Sequence, residues 1–174
     1  YCGDETYIKI KGKWHYIFYF FDSAKKIILS YHISKNRDTE AAIKALDDTL
    51  SKLKSIPKSL KFIVDGNPIY LLAQHFFAEH GINFTIKQVI GLTNEDPVSK
   101  AYRPLKQIIE RLNRTFKGNY RSSHGFKSTK GAKSFVGLFV AYFNFLRPHS
   151  SIEKNVPVVI KELAKSPHMP ARWA

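Results

Sequence analysis

Cys2-Gly3-Asp4-Glu5-Thr6-Tyr7-Ile8-Lys9-Ile10, then Lys11-Gly12-Lys13, then Trp14-His15-Tyr16-Ile17-Phe18-Tyr19-Phe20-Phe21 is the stretch on which the fold class turns. Its first part alternates apolar and polar residues, the period of a half-buried strand. Lys11 to Lys13 supply a turn, and the aromatic run from Trp14 to Phe21 suits a buried strand paired back on the first. Asp22, Ser23, Ala24 and Lys25 make a second turn, with Asp22 as its turn residue, and Lys26 to Ile33 a third strand. The opening is therefore a three-stranded antiparallel meander.

Downstream, the period changes. Thr39 to Leu53 places Ala42, Ile43, Leu46, Leu50 and Leu53 at helical spacing, with Asp38 as cap. Leu60 to Val64 is a short buried strand ending in Asp65, after which Asn67 as cap and Pro68 as first residue open a helix that ends near Gly81. Asn83 to Ile90 reads as a fifth strand and Gly91 to Ala101 as a polar loop. Pro104 starts a helix whose apolar residues Leu105, Ile108, Ile109, Leu112 and Phe116 share one narrow face. A last helix carries Phe135, Leu138, Phe139, Tyr142, Phe143 and Leu146. This order predicts an α/β fold: a five-stranded mixed sheet, three strands antiparallel and two parallel, with helices on its faces.

Composition limits the function. The 174 residues suffice for one domain, and a net charge of +14 with a pI near 9.8 points to a polyanionic partner. No apolar run approaches the roughly 20 residues of a membrane span. DNA is the expected partner and a membrane is not. The single cysteine, Cys2, excludes an intrachain disulfide and a multi-cysteine zinc site, and fits a reducing cytoplasm. The chain starts in a strand without Met, the look of an excised piece.

Three acids carry the candidate chemistry. In the alternation of the first strand Asp4 shares a face with Cys2, Thr6, Ile8 and Ile10, where a carboxylate is costly unless paired or metal-bound. The plain alternative is a solvated strand end. Glu5, on the other face with Tyr7, Lys9 and Lys11, calls for no partner. Asp65 ends a buried strand before a helix, where open α/β sheets place ligands, although an acid there can simply complement the helix dipole. Between Pro97 and Ile152 stand eleven Lys and Arg residues and one acid, Glu110. A lone carboxylate on a phosphate-binding surface repels its ligand unless a divalent cation lies between them. The alternative is a Lys106, Glu110, Arg114 ladder at i, i+4 spacing, which explains the spacing but not the isolation. Oxygen donors suit Mg²⁺, with Mn²⁺ as substitute.

Histidines 15, 32, 75, 80, 124, 149 and 168 show no ligand spacing and read as structural. Trp14 and the Phe-rich last helix read as core rather than as base-stacking surface. The Gly-, Ser- and Lys-rich segment from Gly118 to Lys133 reads equally as a DNA-contacting loop or a solvated linker.

Asp4-Glu5-Thr6 with Lys9 and Lys11-Gly12-Lys13-Trp14, Arg37-Asp38 before Ala41-Ala42, Ile63-Val64-Asp65, Ile109-Glu110, Lys117, and the closing Tyr142-Phe143-Asn144, Arg147-Pro148-His149 and Pro157 together resemble the catalytic domain of bacterial insertion-sequence DDE transposases, relatives of retroviral integrases. The resemblance covers about residues 1–160, leaving 161–174 as a C-terminal tail. It implies a ribonuclease H-like fold, two metal ions held by Asp4, Asp65 and Glu110, and DNA cleavage followed by strand transfer. It also implies action as a multimer on transposon ends and target, in the cytoplasm at the nucleoid. Arg103, Lys106, Arg114, Lys117 and Arg121 are the expected DNA contacts, with Lys117 facing the same phosphates as Glu110 from nearly two helical turns away. The 44 residues between Asp65 and Glu110 exceed the usual spacing, so Glu95 stands in reserve as third acid. A nuclease of the same fold without strand transfer, and a DNA-binding remnant, are the competing functions.

Overall fold

The structure is a computed structural model that describes residues 1–90 and 96–165. The meander forms as expected: β1 (Cys2–Ile10), β2 (Lys13–Asp22) and β3 (Ile27–Ser34). Asp22 closes the second turn by accepting from the backbone amides of Ala24 and Lys25, both at 2.9 Å. α1 (Thr39–Leu50) follows, and its cap Asp38 accepts from Ala41 N at 2.9 Å. Next come β4 (Lys61–Val64), α2 (Ile69–Glu79) and β5 (Thr85–Gln88). The Asn67 side chain accepts from Ile69 N at 3.3 Å, so α2 starts one residue later than Pro68. The sheet order is β3-β2-β1-β4-β5, the first three antiparallel, β4 parallel to β1 and β5 parallel to β4.

The alternation of side chains across the strands divides the core in two. Ile8, Ile10, Ile17, Tyr19 and Ile63 face α3 and α4, while Phe18, Phe20, Phe62 and Val64 face α1 and α2. Each such buried side chain contributes about 1.5–3 kcal/mol relative to exposure. Gly3 is required at the crossing of β1 with this second core: a Cβ there would lie 2.7 Å from the Phe20 ring and 3.2 Å from Val64. That close packing keeps β1 tight against β4 and so fixes the acids that follow.

α3 (Pro97–Tyr120) is longer than the sequence pattern indicates. It begins not at Pro104 but at Pro97, behind the cap Asp96, whose side chain accepts from Ser99 N at 2.7 Å. Residues 97–101 are thus helical, while 91–95 of the expected loop lie outside the described residues. The segment from Gly118 to Lys133 is not a free loop either: α3 runs through Tyr120, and Phe126 is tied to the edge of β1 by Lys11 N to Phe126 O and Phe126 N to Lys9 O, both 2.8 Å. α4 (Thr129–Ala141) passes into a wider π turn, Tyr142–Leu146, and a short α5 spans Lys161–Ala164. Of the expected tail, 166–174 lie outside the described residues.

Asn144, in that π turn, ties the C-terminal helix to the sheet. Its Oδ1 accepts from Ile28 N at 2.8 Å and its Nδ2 donates to Ile28 O at 2.9 Å, all buried. Asn144→Ala strands both backbone groups, and at about 1–3 kcal/mol for an orphaned group it is expected to lower stability by roughly 2–4 kcal/mol. A urea denaturation midpoint unchanged in this variant would contradict that account.

Candidate metal centre and its basic surround

The register of the parallel pair brings the first two acids together. Cys2 lies opposite Ile63, so two residues on Asp4 comes level with Asp65 at the carboxyl end of β4. Carboxylate oxygens of Asp4, Glu5 and Asp65 lie within 4.8 Å of one another. Glu5 is the member sequence reasoning missed. Its side chain is only 2% exposed, and Oε2 is buried without a hydrogen-bond partner among the described residues. Burial first, and the charge of Asp65 second, push its carboxyl above the ordinary glutamate value. Tyr70, fully buried behind it, is held well above the ordinary tyrosine value by burial and then by the Glu5 charge, so it stays protonated.

Two of the protein's own cations balance these acids. Arg37 Nε lies 3.2 Å from Glu5 Oε1 and Arg37 Nη2 3.2 Å from Asp65 Oδ2. Asn67 adds a contact from Nδ2 to Glu5 at 3.4 Å and one from its backbone amide to Asp65 Oδ1 at 3.1 Å. On the other side Lys106 Nζ lies 2.9 Å from Asp4 Oδ1, and Asn113 Nδ2 donates to Asp4 Oδ2 at 3.0 Å. Lys106 and Asn113 are seven residues apart, two turns of one face of α3. Asp4 is therefore paired and not solvated at a frayed end. The Lys106 ammonium is buried, and its contact with Asp4 lacks hydrogen-bond alignment, leaving its donors without partners among the described residues.

Glu110 is one turn past Lys106. It lines an open cavity of 530 Å³ with Asp65, Gly66, Arg103, Lys106 and Gln107. The ladder alternative does not form: among the described residues no ion pair joins Glu110 to Lys106 or Arg114, because Lys106 turns to Asp4. Glu95 lies outside the described residues. Arg103 lines the cavity, whereas Arg114 and Arg121 are exposed beyond it. Lys117 turns to β1. Its Nζ donates to the Tyr7 carbonyl and sits 3.4 Å from the centre of the Tyr7 ring, and burial, then the charge of Arg121, lower its pKa from the usual lysine value.

The donors fit a hard divalent cation. They are all carboxylate oxygens, gathered at a distance that one ion can span. No histidine joins the group among the described residues; His32, for instance, pairs with Asp48 at 2.9 Å.

A sequence profile of the DDE domain family, that of IS240 transposases, matches residues 2–149. The chain belongs to the DDE domain family. This DDE domain also resembles retroviral integrase cores in structure. The HTLV-2 integrase catalytic core in complex with magnesium matches at TM-score 0.53 and 15% identity, with 90% of each chain covered. The catalytic core of BIV integrase matches at TM-score 0.53 and 12% identity, again with 90% of each chain covered. A chain in the structure of the simian T-cell lymphotropic virus intasome in complex with PP2A regulatory subunit B56 gamma matches at TM-score 0.56 and 18% identity over 82% of this chain, which spans 47% of that one. At these identities the likeness establishes the ribonuclease H-like fold alone. A search of characterised protein sequences finds no match. Among the described residues of the DDE domain no helix is long and apolar enough to cross a membrane.

Proposed function

We propose that this DDE domain, over residues 1–160, cuts and joins DNA strands with divalent metal held by Asp4, Asp65 and Glu110. The observation that carries the reading is the cluster of Asp4, Glu5 and Asp65 carboxylates beside a cavity that Glu110 lines together with Asp65, Arg103 and Lys106, in a chain of net charge +14. Carboxylates at a phosphate site repel the ligand unless a cation intervenes, so the two features are reconciled by Mg²⁺ or Mn²⁺. Bound there, a pair of ions supplies the charge that stabilises attacking and leaving oxygens of in-line phosphoryl transfer.

The chain's own groups have separable tasks. Asp4 and Asp65 are aimed by the parallel register and held by Asn113, Asn67 and Arg37. Lys106 and Arg103 line the cavity wall with positive charge, where a DNA phosphate would dock. In cleavage a water oxygen attacks phosphorus and the bond to the leaving 3′ oxygen breaks. In joining, the 3′-hydroxyl so released attacks a target phosphodiester; its oxygen bonds to phosphorus as the target's own P–O3′ bond breaks, and the proton it loses is matched by the one the departing target 3′ oxygen gains. Arg114, Lys117 and Arg121 extend the basic surface along α3 and position the strand rather than react. A multimer on DNA, two transposon ends with a target, is the expected assembly.

The test is to incubate pre-cut end DNA with target DNA and Mg²⁺ or Mn²⁺ and to separate the products by length. Joined strands support the reading; hydrolysis without joining makes the chain a nuclease of the same fold. DNA affinity is also expected to fall steeply with salt, by about tenfold or more between 50 and 200 mM if at least two or three phosphates are neutralised. Affinity for one sequence that ignores salt would contradict a phosphate-dominated interface.

A further inference from the structure

Past the cover of α1 and α2, the β1–β2 hairpin carries an uncovered stretch of the same sheet face. Tyr7 and Lys9 of β1 and Trp14 of β2 lie on it, with Lys9 opposite Trp14 in the register. The sequence pattern makes Trp14 a core residue; instead it is 50% exposed, and Tyr7 is 52% exposed. Their rings meet edge to face at 4.9 Å. Each ring also carries a cation: Lys9 Nζ lies 4.8 Å from the Trp14 ring centre and Lys117 Nζ 3.4 Å from that of Tyr7. Tyr120 closes the edge of the group, its hydroxyl bonded to Lys9 N at 2.7 Å.

We propose that the Tyr7–Trp14 pair stacks an unpaired nucleobase of the DNA strand being processed. The inference rests on the strand-transfer reading above and names a contact that this reading does not supply. Aromatic faces flanked by Lys and Arg are the means by which proteins hold unpaired bases, because every base offers a π face and the cations take the adjoining phosphates. Charge selects the occupant: from Thr6 to Phe21 there is no acid, while Lys9, Lys11 and Lys13 crowd the hairpin and Lys117 and Arg121 adjoin it. An apolar protein partner has no use for that density of like charge. Position agrees as well. Tyr7 is the next same-face residue after Glu5, roughly 7 Å along the strand, and the Glu5 carboxylate lies within 4.8 Å of that of Asp65. A base on the pair is thus about two or three stacked nucleotides from a phosphate at the acids.

A structural alternative exists, since diagonal aromatic pairs also brace hairpins. The experiment separates the two by measuring, in EDTA, binding of the full chain to a blunt duplex and to the same duplex with a short single-stranded tail carrying 2-aminopurine at each tail position in turn. The tailed duplex is expected to bind more tightly, with 2-aminopurine fluorescence quenched at one position. Trp14→Ala is expected to weaken tailed binding roughly 5- to 100-fold and abolish the quench, Trp14→Phe to retain most of both, and blunt-duplex binding to change about twofold or less. A Trp14→Ala variant that melts earlier yet keeps the tail preference overturns the proposal in favour of a hairpin brace. Equal binding of both duplexes by the unaltered chain overturns the stacking site alone, whereas absence of any DNA binding overturns the strand-transfer reading with it.

Discussion

Asp65→Asn is expected to abolish metal-dependent strand cleavage, by about a thousandfold or more, which corresponds to roughly 4 kcal/mol at the usual conversion. The substitution keeps shape and removes the charge that a divalent cation needs, while its partner Arg37 is 44% exposed and readily hydrated. Asp65→Asn should therefore melt close to the unaltered chain. Asp4→Asn is expected to lose activity equally but not to be silent for stability. Lys106, with 8% side-chain exposure, has Asp4 as its ion-pair partner, and Asn at position 4 leaves that ammonium buried without a countercharge. Glu110→Gln, on the exposed face of α3, is expected to lose activity with an unchanged melting temperature. Measuring cleavage and melting side by side distinguishes the three. An active Asp65→Asn chain would remove the metal centre from the proposal, and an active Glu110→Gln chain would move the third ligand elsewhere.

Lys106→Met is expected to give the largest stability change. Removing one member of a buried ion pair costs about 3 kcal/mol or more, because the other charge stays behind in a poorly solvated place. For a chain of this size that is roughly 6–12 °C in melting temperature. The loss should appear in EDTA and be largely recovered in millimolar Mg²⁺, since a cation at Asp4 replaces the missing ammonium and binds the native state selectively. The unaltered chain should gain less from Mg²⁺, as Lys106 already occupies Asp4 there. Thermal melts of both chains across a Mg²⁺ titration decide the matter. If Mg²⁺ moves neither melt, the carboxylates do not hold the ion; if both move equally, Lys106 does not compete with it.

What was legible in the sequence is what local physics controls. The meander follows from period-2 alternation and turn residues, with Asp22 bonding the amides two and three residues on. The start of α1 follows from Asp38, whose side chain satisfies a free helix amide. Asp4 and Asp65 stand out as acids at an apolar strand face and a strand end. The start of α3 was written in Asp96-Pro97, but Pro104 inside the pattern gave a competing signal. The helix accommodates Pro104 because the residue whose carbonyl loses its partner, Lys100, is exposed to water.

Tertiary structure alone decided the rest. The β1–β4 register brings Asp4 level with Asp65, and no local pattern sets the pairing of residues just over sixty positions apart. Glu5 sits on the polar side of its strand by alternation, yet α1 and α2 cover that side at its position and not at Tyr7 or Trp14. One face therefore holds both a buried acid and an exposed aromatic pair. Lys106 and Lys117 look alike on the helix; one is drawn to Asp4 and the other to the Tyr7 carbonyl because α3 runs alongside β1. Periodicity determines which face of an element is apolar, whereas burial and charge pairing depend on what the rest of the chain brings against each stretch of that face.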